Sequence, residues 1–405
     1  MAQPPNGDVT VFQSSNPRPL SPTEQNTPLH EKIGWLGRIR RTARSWLFRF
    51  LQRLGTTDDA KSIQALALQG VFSRRRTLLG SSIAVDHQPY ADLGTSVSSS
   101  RAALRDDVVI ITARFRSGST LLWNLFRNIP GYTSYYEPFN ERRWFDAAAR
   151  GDHTDPTHRK VDDYWREYEG LTELGQFYQE KWIDHDLFMD ADNWDPAMKR
   201  YVEILIDRAP GRPVLQFNRI DFRLPWFRYY FPRAQIVHLC RHPRDQWYSS
   251  LVKPAECPRD LSIEQFAAHD HYYLRSWARD LKYQFPFLDE AQIEHPYQLF
   301  YYVWKLSYLF GRRYSHHSLS FEEITDNSGT TLSELLEDLH VAGADLDTLR
   351  KLIDKPSAAR WKSYADAAWF REHESRCEGV IAEFLQNTVS RQDLVAANAF
   401  APSGS

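Results

Sequence analysis

The run Val108-Val109-Ile110-Ile111-Thr112 constrains this chain more than any other feature, because it contains no polar alternation. A strand with one wet face alternates apolar and polar residues; one covered on both faces, as in a parallel sheet, reads as a continuous branched run. This one leads through a basic, hydroxyl-rich loop into Leu121-Leu122-Trp123-Asn124-Leu125-Phe126, a helix start. The pattern recurs at 235–251, where Gln235–Cys240 reads as a strand, Arg241–Asp245 as a loop and Gln246–Leu251 as a helix. A further strand is predicted at Pro213–Phe217, and Tyr135-Tyr136 reads as a strand end. Strands alternating with helices predict the α/β class, with a parallel sheet covered on both faces.

The remaining sequence sets boundaries and exclusions. Residues 1–30 are polar and proline-rich and read as a disordered tail. Ile33, Leu36, Ile39, Ala43, Trp46, Leu47, Phe50, Leu51 and Leu54 recur at steps of three and four, which makes one apolar stripe on a helix. Lys32, Arg38, Arg40, Arg41, Arg44, Arg49 and Arg53 accompany it. A basic amphipathic helix over 31–54 suits either an anionic membrane surface or its own domain. A connecting region to 103, a catalytic domain over 104–390 and a tail over 391–405 complete the expected organisation. The formal net charge of −2 lacks the basic excess of a duplex-binding protein, so no nucleic-acid partner is expected. Three cysteines without a CxxC pair, and no Asn-x-Ser/Thr acceptor, point to a reducing, cytoplasmic location, peripheral on a membrane if the helix binds one. No stretch is apolar enough to span a bilayer.

Arg114-Phe115-Arg116-Ser117-Gly118-Ser119-Thr120 lies between the first strand and its helix. Backbone N–H groups at a helix start attract anions, Gly118 permits a tight turn, the hydroxyls of Ser117, Ser119 and Thr120 add donors, and Arg116 adds charge. An ordinary helix cap needs one hydroxyl; it does not account for two arginines leading into Gly118. A nucleotide kinase would show GxxxxGK[ST], whereas here Arg116 precedes the glycine and no lysine precedes the hydroxyl. In the second unit Pro243 suits the first helical position. Arg241 at the strand end and Ser249 in the helix can grip one phosphate between them.

The segment from Pro213 to Leu251 resembles the PAPS-dependent sulfotransferases (PAPS is 3′-phosphoadenosine 5′-phosphosulfate), and the resemblance extends over roughly Val108 to Tyr364. It implies a P-loop-like three-layer fold with a central parallel sheet, here carrying an N-terminal helical extension. It also implies that Arg116 opens a 5′-phosphosulfate loop and that Arg241 and Ser249 hold the 3′-phosphate. Lys355–Lys362 is similar to the family's closing loop, which assigns Arg360, Trp361 and Lys362 to the nucleotide. The phenol and steroid branch places a histidine where this chain has Gln216-Phe217-Asn218-Arg219-Ile220. The carbohydrate branch instead has a Glu-Pro about twenty residues after the loop, matched here by Glu137-Pro138, so Glu137 is the expected base. A salt bridge from Glu137 to Arg142 or Arg143 is the structural alternative, and His242 a second candidate base. The expected reaction moves a sulfuryl group from PAPS to a hydroxyl of a glycan, glycolipid or other small-molecule or lipid acceptor, with no metal required. A P-loop kinase of a small alcohol and a non-catalytic binding scaffold are the alternatives.

Overall fold

The computed structural model describes residues 101–399, apart from 156, 157, 159 and 356–358. The readings made for residues 1–100, including the helix over 31–54, lie outside the described residues. Strand β1 spans Val109–Ala113 and is buried at every position. Helix α1 follows at Ser119–Arg127, then β2 at Tyr132–Tyr136, α2 at Pro196–Arg208, β3 at Arg212–Phe217, α3 at Leu224–Tyr230 and β4 at Gln235–Cys240. Next come α4 at Pro243–Ser250, α5 at Leu274–Leu281, α6 at Pro296–Tyr314, β5 at His317–Ser320, α7 at Phe321–Asp326 and α8 at Ser328–Asp338. The final helix, α9, runs over Ala367–Ala399, so the boundary expected at 390 falls within one continuous helix.

All five strands are parallel, in the order β2-β3-β1-β4-β5. Ile111 of β1 pairs with Gln216 on one side and Val237 on the other. Because side chains alternate across a strand, Val109, Ile111 and Ala113 join Leu122, Leu125 and Phe126 of α1 and Leu332, Leu335 and Leu336 of α8 on one face. Ile110, Leu215, Phe217 and Ile236 face the other way, against Met198, Val202 and Leu205 of α2 and Trp226 and Phe227 of α3. Both faces are thus dry, as the unbroken branched run requires. Each such Val, Ile or Leu contributes about 1.5–3 kcal/mol on leaving water. A third apolar cluster joins α5, α6 and the start of α9, with Trp247 and Trp277 fully buried in it.

One buried carboxylate ties the sheet to its surroundings. Asp221 accepts from the Thr112 hydroxyl at 2.5 Å and from the Ser307 hydroxyl of α6 at 2.7 Å. It therefore fixes the end of β1 just where the basic loop begins. The chain leaves β1 towards β2 on one side and leaves β4 towards β5 on the other. The carboxyl ends of β1 and β4 thus bound the crevice in which open α/β sheets bind ligands.

Candidate active site

The loop after β1 is wound by two left-handed residues, Arg116 at φ 64° and Gly118 at φ 96°. Gly118 is demanded twice over. A side chain is strained at that φ, and a Cβ there would come within 2.2 Å of the Phe321 ring. The turn presents Ser119 and Thr120 to a cavity of about 1000 Å³, together with Arg116 and Gly118. Ser117 does not take part. It is fully buried, and its hydroxyl donates to the Arg114 carbonyl at 2.6 Å, closing the turn from inside. Arg114 also departs from expectation. Its guanidinium lies 4.2 Å from the centre of the Trp277 ring, outside the cavity, and burial pulls its pKa down to about 10. Two residues before the left-handed Arg116, its side chain leaves on the opposite side of the loop, towards the α5 cluster.

The second motif meets the first. The Arg116 Nε donates to the carbonyl and hydroxyl oxygens of Ser249, at 3.1 and 3.2 Å. Arg241 Nη1 in turn donates to the Arg116 carbonyl at 3.1 Å. The Arg241 guanidinium stacks 4.9 Å from the Phe321 ring, and its Nε is buried with no hydrogen-bond partner among the described residues. Burial pushes its pKa down against the pull of Asp245 and Glu322, with Arg116 and Arg360 adding to the fall. Arg116, Arg241 and Arg360 thus bring three guanidinium groups to one cavity, which suits an incoming anion. His242 is exposed, gives only its backbone N–H to Glu322, and does not line the cavity.

The closing loop contributes one expected residue and one unexpected one. Arg360 lines the cavity, over the Tyr248 ring at 5.3 Å. Lys355 lines it too, paired with Asp326 at 2.8 Å. Trp361 instead packs against Phe370 and the Arg244 guanidinium, and the exposed Lys362 lies 5.8 Å from the Trp361 ring. Neither borders the cavity. The 3-10 turn at Arg360–Ser363 explains the split, since successive residues in it point about 120° apart.

Glu137 stands at the carboxyl end of β2, in a left-handed conformation with φ 40°. Such strain in a non-glycine residue collects at functional sites. The carboxylate lines the cavity and is 5% exposed. It accepts from Asn140 at 2.7 Å, from Arg219 Nη1 at 3.1 Å, and from Asn218. Burial raises its pKa against the pull of Arg219 and Asn140, with Glu141 adding to the rise. Arg142 and Arg143 are not its partners: Arg143 pairs with Glu180, and Arg219 supplies the ion pair. Arg219 belongs to the five residues read for a missing histidine, and its value lay in the charge itself. His158 was also missed. It lines the cavity, its Nδ1 meets the Tyr164 hydroxyl at 2.6 Å and its Nε2 meets the Thr120 hydroxyl at 3.2 Å. Burial lowers its pKa to about 4. A single histidine in a polar stretch carries no sequence signal of this position.

A parallel sheet with two basic loops meeting at the switch between β1 and β4, and a buried carboxylate at the next strand end, places an anion-attracting cleft at the carboxyl edge of the sheet. Residues 108–302 match the sulfotransferase family, so this stretch of the chain is similar to that family. A solved structure of retinol dehydratase in complex with androsterone and inactive cofactor PAP is similar at 15% identity, covering 69% of this chain and 81% of that one, with a TM-score of 0.30. No curated protein matches the chain.

Proposed function

We propose that the cavity binds PAPS through the loop after β1 and the α4 region, and that Glu137 activates a hydroxyl of a glycan-type acceptor. The observation that carries this is the convergence of Arg116, Arg241 and Ser249 from motifs more than a hundred residues apart. Arg241 and Ser249 hold the 3′-phosphate, and Arg116 with the Ser119 and Thr120 end of α1 holds the phosphosulfate. The unpartnered Nε of Arg241 and the Gly118 cradle under Phe321 both fit such an anion. PAPS supplies a sulfuryl group on a phosphate that leaves readily. Arg116 stabilises the negative charge gathering on the departing oxygen, and Arg360 closes over the nucleotide. Glu137 accepts the acceptor's proton; its raised pKa brings the carboxylate nearer to neutrality, where a general base transfers protons efficiently.

The acceptor reading rests on the wall beside Glu137. Trp144, Tyr164 and Tyr272 line the same cavity as Glu137, together with Asn140, Arg142 and His153. Flat rings suit the C–H faces of a sugar, and the polar groups suit its hydroxyls.

Adenosine 3′,5′-bisphosphate at about 100 times its dissociation constant should add about 2.7 kcal/mol of stability, while AMP and ADP should shift the melting temperature far less. Equal shifts from AMP would remove the role given to Arg241 and Ser249, and a larger shift from ADP would favour a kinase. Glu137→Gln should cost about 10²–10⁴-fold in turnover with nucleotide binding retained. Labelled sulfate from PAPS should appear on oligosaccharides rather than on simple phenols; the reverse preference would overturn the glycan assignment.

A further inference from the structure

Arg219 is a buried charged group in the cavity wall. Its side chain is 2% exposed, and its guanidinium is held between the Phe115 and Tyr273 rings, at 5.0 and 5.5 Å from their centres. One arm donates to Glu137 Oε2 at 3.1 Å and the other to Glu141 Oε2 at 2.5 Å. The two carboxylates sharing it differ: Glu137 is buried, while the side chain of Glu141 is 42% exposed. The remaining partners of Glu137 are the amides of Asn140 and Asn218 and the neutral Tyr136 hydroxyl, and Asn218 is itself held by Gln216 at 2.7 Å. Amides orient a carboxylate but carry no charge. The other titratable groups facing Glu137 are Glu141 and the tyrosines Tyr136, Tyr164, Tyr168 and Tyr272. Burial raises the pKa of each of these tyrosines, so they stay neutral. Arg219 is therefore the cation that offsets the burial of Glu137.

We propose that Arg219 is a positioning residue that keeps Glu137 ionised and aimed into the cavity, and that Glu141 tunes it by sharing the same guanidinium. The proposal rests on the reading of Glu137 as the base. The pair forms a graded device. Removing Arg219 leaves a buried carboxylate with neutral donors only, which takes up a proton. Removing the Glu141 charge leaves all of Arg219 to Glu137 and deepens its ionisation.

The test is turnover against pH for the full chain, alongside carboxyl infrared absorption read as the difference between each protein and the same protein carrying Glu137→Gln. The infrared signal reports the ionisation of Glu137 whether or not Glu137 is the base. Arg219→Gln should move the acidic limb and the infrared titration upward together, by about 1–3 pH units, with affinity for adenosine 3′,5′-bisphosphate retained. Arg219→Lys, which keeps the charge but not the fork, should restore most of the limb. Glu141→Gln, at a half-exposed position that folding tolerates, should move both readouts in the acidic direction. A titration of Glu137 that stays in place in Arg219→Gln and Glu141→Gln overturns the proposal, as does an equal loss of turnover at every pH. An infrared titration that moves while the limb of turnover does not leaves the pairing intact and removes Glu137 as base.

Discussion

Gly118 shows how one residue can serve the turn and the site together. Its φ of 96° turns the chain into α1, and its missing side chain leaves room for Phe321, whose ring also carries the Arg241 guanidinium. A methyl group at 118 must displace that ring, because a Cβ would lie 2.2 Å from it. Gly118→Ala is thus expected to lose stability by about 1–3 kcal/mol, from φ strain and overpacking. It should weaken nucleotide binding as well, since the shifted ring carries Arg241 with it. Thermal unfolding and nucleotide titration read the two effects separately. A variant that melts lower yet binds the nucleotide as before would uncouple Phe321 from the phosphate site. The need for glycine was legible from its place between hydroxyl residues after a branched strand. The inward turn of Ser117 was not, because whether a hydroxyl faces ligand or backbone depends on the handedness of Arg116 before it.

At the scale of elements, legibility followed burial. β1, β3 and β4 announce themselves because nearly all their positions are buried and each carries an apolar stretch, Val109–Ile111, Val214–Leu215 and Ile236–Val237. β5, His317–Ser320, is half-buried at every position and polar in three of its four residues, so it carries neither the run nor a clean alternation. The closing loop shows the same limit. Its basic residues are visible in the sequence, but the direction of each depends on a 3-10 turn packed on α4 and α9. Arg360 faces the cavity, while Trp361 faces Arg244 and Phe370. Arg360→Ala and Lys355→Ala should therefore weaken binding of adenosine 3′,5′-bisphosphate, by about tenfold or more for a charge-assisted contact worth about 1.5–3 kcal/mol. Lys362→Ala should leave affinity unchanged. Isothermal titration of the three variants decides this, and a loss confined to Lys362→Ala would mean that the loop closes in another register.

Among the described residues the consequential groups for the whole molecule are three histidines in separate regions, His238 and His295 buried and His158 largely so. His158 lies in the cavity wall, His238 in β4 against Gly311 with its Nδ1 2.8 Å from the Ser318 hydroxyl, and His295 at the start of α6. Burial lowers the pKa of each to about 4. Unfolded, they return to about 6.5, so the unfolded chain binds protons that the folded chain refuses. Their contribution to stability is complete above about pH 6.5 and is lost as the pH falls towards 4, at a limiting rate of about 1.4 kcal/mol per pH unit for each histidine. Paired carboxylates act in a lower window. The pKa values of Asp107, Asp163 and Glu290 are depressed by arginine partners, so their contribution persists until the pH drops below the ordinary carboxylate range. Glu137 has the opposite sign, since its raised pKa makes protonation favour the fold, and it offsets part of the histidine loss. The melting temperature should accordingly hold steady above neutrality and decline steadily from about pH 6.5 to 4, before any carboxylate-driven collapse. His238→Asn removes one titrating group from the core and should flatten that decline while lowering stability at neutral pH, where the imidazole packs on Gly311. A melting temperature constant down to pH 4.5 would show that these histidines protonate within the fold, and a slope unchanged in His238→Asn would show that β4 is not where the acid acts.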